Sequence, residues 1–268
     1  MDYKSCRADA QCSISQFQVS SRTRLWWCAT GPLAFLPIHA AGIYSEGAKQ
    51  GSSPPTLAVS SYTPTVSSLV DRTHKKYDGS HRFLLVSQPN TPGLTAIPGT
   101  RHEAQGLAEM LQQEFFQTLH LDGKEATLNK VKQEMMQHPW MHLACHAVQN
   151  TTSPLQSGFH LQDGLLYLSE IMKQQIPTAD FAFLSVCQTS AGDEKLSEEA
   201  VHLAVGMLAA GYRGVVSTMW SIKDKYGPDV AEKFYLYLCA RGEKVKLVFT
   251  ERVLLTHLIL PRATFEKR

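Results

Sequence analysis

Short apolar runs alternate with amphipathic patterns along most of the chain. The runs that predict buried strands cover residues 24–27, 82–89, 140–146, 180–187 and 214–220. In the run 159–171, Asp163 and Gly164 separate two alternating apolar segments, which predicts a β-hairpin. The Ser-, Thr- and Pro-rich stretch 51–68 is typical of a loop, with a short extended core at 57–59.

In the segments between these runs, the apolar residues recur at helical spacing. The predicted helices cover about 103–119, 127–138, 169–175, a segment from the capping residue Ser197 to Gly211, and 228–237. Strands that are buried on both faces and separated by helices indicate a mainly parallel sheet with helices on both faces. We therefore predict the α/β class. In such sheets, functional sites form at the carboxyl ends of the strands.

Composition and charge make some classes of function less favoured than others. The 268 residues include 43% hydrophobic residues, enough for a sizeable core, and the formal charge is only +2. A charge this small gives no electrostatic reason to expect nucleic acid or an anionic membrane as a partner. The apolar stretch 25–43 is interrupted by proline, glycine and histidine, so it predicts a core segment and not a membrane helix.

The six cysteines show no paired spacing, and the first twenty residues contain no apolar signal region. Both observations are typical of a reduced protein of the cytosol or nucleus.

Two predicted strands end in residues that could perform chemistry. His146 ends the run 140–146, and Cys187 ends the run 180–187 just before small and polar residues. An imidazole can take the proton of a nearby thiol, or stabilise its anion, and so make it a nucleophile. A histidine upstream of a cysteine at loose spacing is the arrangement of caspase-type peptidases, but a pair at such spacing also occurs by chance.

Other interpretations of these residues stay open on pattern alone. Cys187 could be an inert buried thiol, and His146 a histidine of the core. A metal site built from His142, Cys145, His146 and His160 is disfavoured, because adjacent strand residues point to opposite faces and no CxxC pair exists. A nucleotide-binding α/β protein is disfavoured as well, since no glycine-rich phosphate motif follows a strand. We predict neither a metal nor a cofactor.

Several ordered motifs resemble one family. These are LACHAVQN, SGFHLQDGLLYLSEI, FAFLSVCQTSAGD and EEAVHLAVGMLAAGYRGVVSTMWSIKD, preceded by RLWWCATGPLAFLPIHAAG, SSYTPTVSSL and AIPGTRHEAQGL. Together they resemble the CHAT domain, a caspase-like, separase-related domain that often accompanies tetratricopeptide repeats. The resemblance implies a caspase-haemoglobinase fold and a cysteine endopeptidase with a His–Cys dyad.

The resemblance also implies roles for particular residues. His146 would be the base or imidazolium partner and Cys187 the nucleophile, with the backbone N–H groups of Cys187 and Ala147 as oxyanion donors. Asp224 matches the acidic position of the separase segment that reads a basic P1 side chain, with Trp220 beside it. On pattern alone, Asp224 could instead cap a helix, and Trp220 could be a core residue or a pocket wall.

The resemblance covers the middle of the chain. We predict an unassigned tail at residues 1–22, the CHAT domain at 23–238, and a divergent or truncated tail at 239–268. The implied partners are a protein substrate and a tetratricopeptide-repeat region or other regulatory protein. The alternative function is a non-catalytic signalling or scaffold module with the same fold.

Overall fold

The computed structural model describes residues 24–30, 33, 36, 38–41, 59–74, 81–114, 116–150, 152–188, 199–217 and 223–239. The chain forms two compact units, Met1–Val66 and Ser67–Arg268. The predicted boundaries at 23 and 238 stay predictions. No helix in the described ranges is long and apolar enough to cross a membrane.

The first unit contains a two-stranded parallel sheet. Strand β1, Arg24–Trp27, pairs with β2, Val59–Tyr62, which confirms the strand predicted at 24–27. The Tyr62 hydroxyl accepts from the His39 backbone N–H at 3.0 Å and lies 2.6 Å from Nδ1 of the same residue. Burial lowers the pKa of His39 to about 4 and raises the pKa of Tyr62 to about 12. Both side chains are therefore neutral at pH 7, and the hydroxyl donates to Nδ1. Helix α1, Val66–His74, follows β2 in the chain.

The second unit is built on a seven-stranded sheet. Its strands are β3 Arg82–Ser87, β4 Gln117–Asp122, β5 Trp140–Val148, β6 Gly158–Leu161, β7 Gly164–Tyr167, β8 Phe181–Gln188 and β9 Gly214–Ser217. Five strands are parallel, in the order β4-β3-β5-β8-β9. The β6–β7 hairpin joins antiparallel to the last two residues of β5, Ala147 and Val148. The sheet is thus mainly parallel, as predicted, with an antiparallel hairpin at the carboxyl end of β5.

Helices cover both faces of this sheet. They are α2 Gly99–Gln113, α3 Leu128–Met135, α4 Leu168–Gln174, α5 Glu199–Ala209 and α6 Gly227–Cys239. Apolar residues of α3, α4 and α5 form one core cluster with the sheet, and those of α2 and α6 form the other. Full burial of one large apolar side chain contributes about 1.5–3 kcal/mol, so each cluster is a main source of stability. The α2/α6 side is called the α2/α6 face below.

Two predicted segments were wrong. The stretch 51–68, predicted as a loop with an extended core at 57–59, contains the strand Val59–Tyr62 and the start of the helix Val66–His74. The helix predicted over 103–119 ends at Gln113, and Gln117–Asp122 is strand β4. Leu111 and Leu119 are spaced as if on one helix, but Leu119 and Leu121 belong to the alternation of the strand, which packs them on the α3/α4/α5 cluster. The hairpin and the remaining helices are confirmed to within a few residues, while Ser197 and residues 218–220 lie outside the described ranges.

A buried ion pair holds the amino ends of three strands. Asp180 contacts Nε of Arg213 through Oδ1 and accepts from Nε1 of Trp140 at 3.0 Å through Oδ2. Asp180 is 3% exposed and Arg213 is 8% exposed. Two charges taken out of water at this depth are stable only as a pair.

We expect Asp180→Ala to lower the free energy of unfolding by about 3 kcal/mol, because it leaves the Arg213 guanidinium buried opposite no carboxylate. Urea denaturation measures the change. The control is Glu232→Ala on the exposed side of α6, which should change stability by no more than about 0.5 kcal/mol. Equal effects of the two substitutions would contradict this account of the ion pair.

Candidate active site

Parallel pairing of β5 and β8 brings the two predicted dyad positions together. The register runs from Trp140 opposite Phe181 to Ala147 opposite Gln188, and it places His146 directly opposite Cys187. Directly opposed residues of neighbouring strands are separated by about 5 Å between backbones. Both positions lie at the carboxyl edge of the sheet, where α/β folds place their sites.

Alternation along the strands puts His146 on the α2/α6 face. Leu143, Cys145 and Ala147 pack in the opposite apolar cluster, so the even-numbered residues of β5 face α2 and α6. On β8, Phe181 and Phe183 belong to the α2/α6 cluster, and position 187 belongs to the same alternation. The backbone therefore places positions 146 and 187 on one face as well as in register.

The loop before α2 fixes the imidazole of His146. Its Nε2 lies 2.7 Å from the backbone oxygen of Thr95. A carbonyl oxygen only accepts, so Nε2 carries a proton and donates it. Within the described ranges, Nδ1 of His146 is buried without a hydrogen-bond partner. A neutral His146 thus has its lone pair on Nδ1, the nitrogen free to act as a base. Burial and the nearby His146 lower the pKa of His160 on β6.

A polar cluster lies on the same face, nearer the middle of the strands. Its centre is Glu103 of α2, which is 3% exposed. Oε2 of Glu103 accepts from the Ser185 hydroxyl at 2.9 Å, and Oε1 lies 2.9 Å from Nε2 of His142. The second contact is off the line of a well-formed hydrogen bond, so it is mainly electrostatic.

The other side of His142 completes this cluster. Its Nδ1 lies 3.2 Å from the Tyr235 hydroxyl of α6, and its ring stacks on Phe183 at 4.9 Å between centroids. Burial, with the nearby Glu103, raises the pKa of Tyr235 well above its ordinary value, so the hydroxyl keeps its proton. Glu103, His142, Ser185 and Tyr235 are called the Glu103 cluster below.

A second polar contact ties α2 to the edge of the sheet. Arg101 donates from Nε to Oδ2 of Asp122 at 2.8 Å, and the Ser87 hydroxyl donates to Oδ1 at 2.6 Å. Partial burial would raise the pKa of Asp122, but these hydrogen bonds hold it below its usual value. The first turns of α2 are therefore anchored to β4 by Arg101 and to β5 and β8 by Glu103.

Asp224 lies against the start of α2. Its Oδ2 accepts from the backbone N–H of Gly99 at 2.9 Å, so it caps this helix from a distant part of the chain. The short 3-10 helix Asp224–Tyr226 and the helix that carries Glu103 are thus joined by one hydrogen bond. A carboxylate has further lone pairs, so this bond leaves acceptor capacity on Asp224. Trp220 lies outside the described residues.

Comparison with known proteins identifies the family of the chain. The family model of the CHAT domain matches residues 9–255, which is most of the chain. The chain belongs to the CHAT domain family. A search of curated proteins found no match.

The CHAT chain is also similar in structure to a proteinase. The crystal structure of gingipain R, an Arg-specific cysteine proteinase, matches with a TM-score of 0.54 at 10% sequence identity. The match covers 93% of this chain and 66% of the gingipain chain, so the CHAT chain spans just under two thirds of its relative. At this identity the similarity shows the fold alone: a caspase-like α/β fold.

Ala147, the predicted second oxyanion donor, lies next to His146 on β5. It pairs in register with Gln188 of β8 and with Phe159 of β6, and its side chain is buried in the α3/α4/α5 cluster. Among the described non-glycine residues only Gln175 has a positive φ, so alanine at 147 causes no backbone strain. The oxyanion role of its N–H stays a prediction.

Thr95 and the Glu103 cluster were not predicted from the sequence. A backbone carbonyl has no residue signature, so nothing in the sequence could identify Thr95 as the partner of His146. The buried position of Glu103 could have been predicted, because it lies next to Ala104 and one turn before Leu107 in the apolar stripe of α2. An acidic residue in a buried stripe requires a buried partner.

Two glycines of α2 provide a test of the contact with Asp224. A methyl group at Gly99 would lie 2.7 Å from both the backbone oxygen and Oδ1 of Asp224, whereas one at Gly106 would meet no atom within 4 Å. We expect Gly99→Ala to destabilise the protein by about 1–3 kcal/mol, because the overlap must displace the 224–226 turn.

The matched control is Gly106→Ala, which should stabilise the protein by about 0.5–1 kcal/mol, since alanine is favoured in a helix interior. Thermal or urea unfolding measures both. Stabilisation by Gly99→Ala equal to that by Gly106→Ala would show that Asp224 does not pack on the start of α2.

Proposed function

We propose that this CHAT domain is a cysteine endopeptidase that uses a His146–Cys187 dyad. The observation that carries the proposal is the register of β5 and β8, which places His146 opposite Cys187 on one sheet face. Among the residues that the structure describes, none forms a hydrogen bond with the buried Nδ1 of His146. A buried nitrogen with a free lone pair costs free energy unless a partner uses it. A thiol proton is the partner that the proposed chemistry supplies.

The proposed reaction proceeds in two stages. Nδ1 of His146 takes the thiol proton, the Cys187 sulfur attacks the carbonyl carbon of the scissile peptide as a thiolate, and backbone N–H groups stabilise the oxyanion. His146 then gives the proton to the leaving amine, and a thioester remains on Cys187. Water hydrolyses the thioester, which releases the acid and restores the thiol. The Thr95 carbonyl keeps the imidazole in the tautomer that this sequence requires.

We further propose that the substrate is a protein cleaved after a basic residue. Two observations support this specificity: Asp224 keeps acceptor capacity beyond its bond to Gly99, and gingipain R, of similar fold, is Arg-specific. A carboxylate favours Arg or Lys through charge-assisted hydrogen bonds. A tetratricopeptide-repeat region or another regulatory protein is the partner that we propose.

We expect an acyloxymethyl ketone probe with a P1 arginine to label the folded protein at Cys187. The thiolate forms a thioether to the probe, and the acyloxy group leaves as a carboxylate. Labelling should disappear in Cys187→Ala and slow at least about a hundredfold in His146→Ala, which lacks the base. Mass spectrometry of the intact protein and of its peptides measures the extent and the position of labelling.

Probes that differ only at P1 test the specificity. Arginine should react about tenfold or more faster than aspartate, and Asp224→Asn should reduce this preference while keeping an acceptor for the Gly99 N–H. An unchanged preference in Asp224→Asn would assign P1 recognition to another residue. The absence of labelling in folded wild type with basic, acidic and apolar probes would instead favour the non-catalytic signalling or scaffold module.

A further inference from the structure

Glu103 contacts both strands that carry the proposed dyad. Through Ser185 it is bonded to β8 two residues before Cys187, and through His142 it is paired to β5 four residues before His146. These separations correspond to about 7 Å and about 13 Å along the strands.

The same residue connects to the loop that orients His146. Glu103 lies in the first turns of α2, and Thr95 lies four residues before that helix begins. The Thr100 hydroxyl donates to the Ile97 oxygen at 2.8 Å, which joins the start of α2 to this loop. The position of α2 over the sheet therefore sets the position of the Thr95 carbonyl relative to His146.

Helix α6 closes the opposite side of the carboxyl group. A methyl group at Gly227, the first residue of α6, would lie 2.6 Å from Oε2 of Glu103, so the helix start packs directly on it. Tyr235, two turns further on, reaches His142. The carboxyl group is thus enclosed by two strands and two helices.

This arrangement is not one that stability alone favours. Well-packed apolar side chains of similar volume often stabilise a core as well as a buried polar pair does. A buried polar cluster does, however, fix one relative placement of the elements it joins, since any slip leaves a buried group unsatisfied. Here the elements joined are β5, β8 and α2.

We propose that Glu103 is a positioning residue for the His146–Cys187 dyad. This inference rests on the proposed peptidase function. Glu103 does not touch the reacting atoms. It holds the register of the carboxyl ends of β5 and β8 relative to the loop that carries Thr95, so that the imidazole and the thiol meet in a reactive geometry. A misplacement of about 1 Å is enough to slow an enzymatic step about a hundredfold.

The test measures the maximal inactivation rate constant, kinact, and the probe concentration for half-maximal inactivation, KI, for the P1-arginine acyloxymethyl ketone. The melting temperature and the fraction of titratable Cys187 are measured on the same samples, so that an effect on positioning can be separated from an effect on stability. We expect Glu103→Ala to lower kinact about tenfold or more, with KI within about threefold of wild type. Ser185→Ala, which removes only the bond to β8, should lower kinact less and remain folded.

The rescue variant is Glu103→Gln. Its amide nitrogen can donate to the Ser185 hydroxyl, so the bond to β8 is retained, and its amide oxygen can lie beside Nε2 of His142, so the contact to β5 keeps a dipole although the negative charge is lost. We expect kinact within about threefold of wild type. The stability control is Asp180→Asn, which weakens the ion pair seven residues before Cys187 on the same strand and should lower the melting temperature without changing kinact.

Unchanged kinact in the folded fraction of Glu103→Ala and of Ser185→Ala would overturn the proposal and leave the cluster with a purely structural role. A loss of kinact in Asp180→Asn equal to that in Glu103→Ala would overturn it as well. If Glu103→Ala does not fold, the kinact of folded Ser185→Ala, compared with wild type and with Asp180→Asn, decides instead. A wild-type protein that does not react with the probe at Cys187 refutes the proposed function itself. This result is distinct from differences in kinact among variants of a wild type that does react.

Discussion

The parallel pairing of β5 with β8 is the contact on which the rest of the site depends. It aligns eight residue pairs from Trp140 and Phe181 to Ala147 and Gln188, and so brings His146 opposite Cys187 at the carboxyl edge. A slip of one residue would move every side chain of one strand to the other face. The large apolar residues of both cores therefore specify the register, and the register brings the two dyad positions together.

Helix α2 links the paired strands to the loop that orients His146. Arg101 and Glu103 anchor its first turns to three strands, Asp224 caps its first residue, and the loop before it supplies the Thr95 carbonyl to Nε2 of His146. Each of these contacts is polar and at least partly buried, so each is directional. The apolar clusters hold the layers together, and these polar contacts determine how the layers are aligned near the site.

The fold was predicted from the sequence wherever its periodicity was strong. Uninterrupted apolar runs gave β3, β5 and β8, and the alternating segments around Asp163 gave the β6–β7 hairpin. Strand β4 was missed because Leu119 continues the helical spacing of α2. His146 and Cys187 were candidates because they end strands. The Glu103 cluster and Thr95 were not, since their contacts join residues 39 to 93 positions apart, and one of them uses only a backbone atom.

The proposed peptidase reaction requires that His146 activates the thiol of Cys187. The rate of alkylation of Cys187 by iodoacetamide as a function of pH measures this directly, because only the thiolate reacts. We expect a midpoint well below the value of about 8.5 for a free cysteine, and a shift toward that value in His146→Ala. A wild-type midpoint at or above 8.5 that is unchanged in His146→Ala would contradict it.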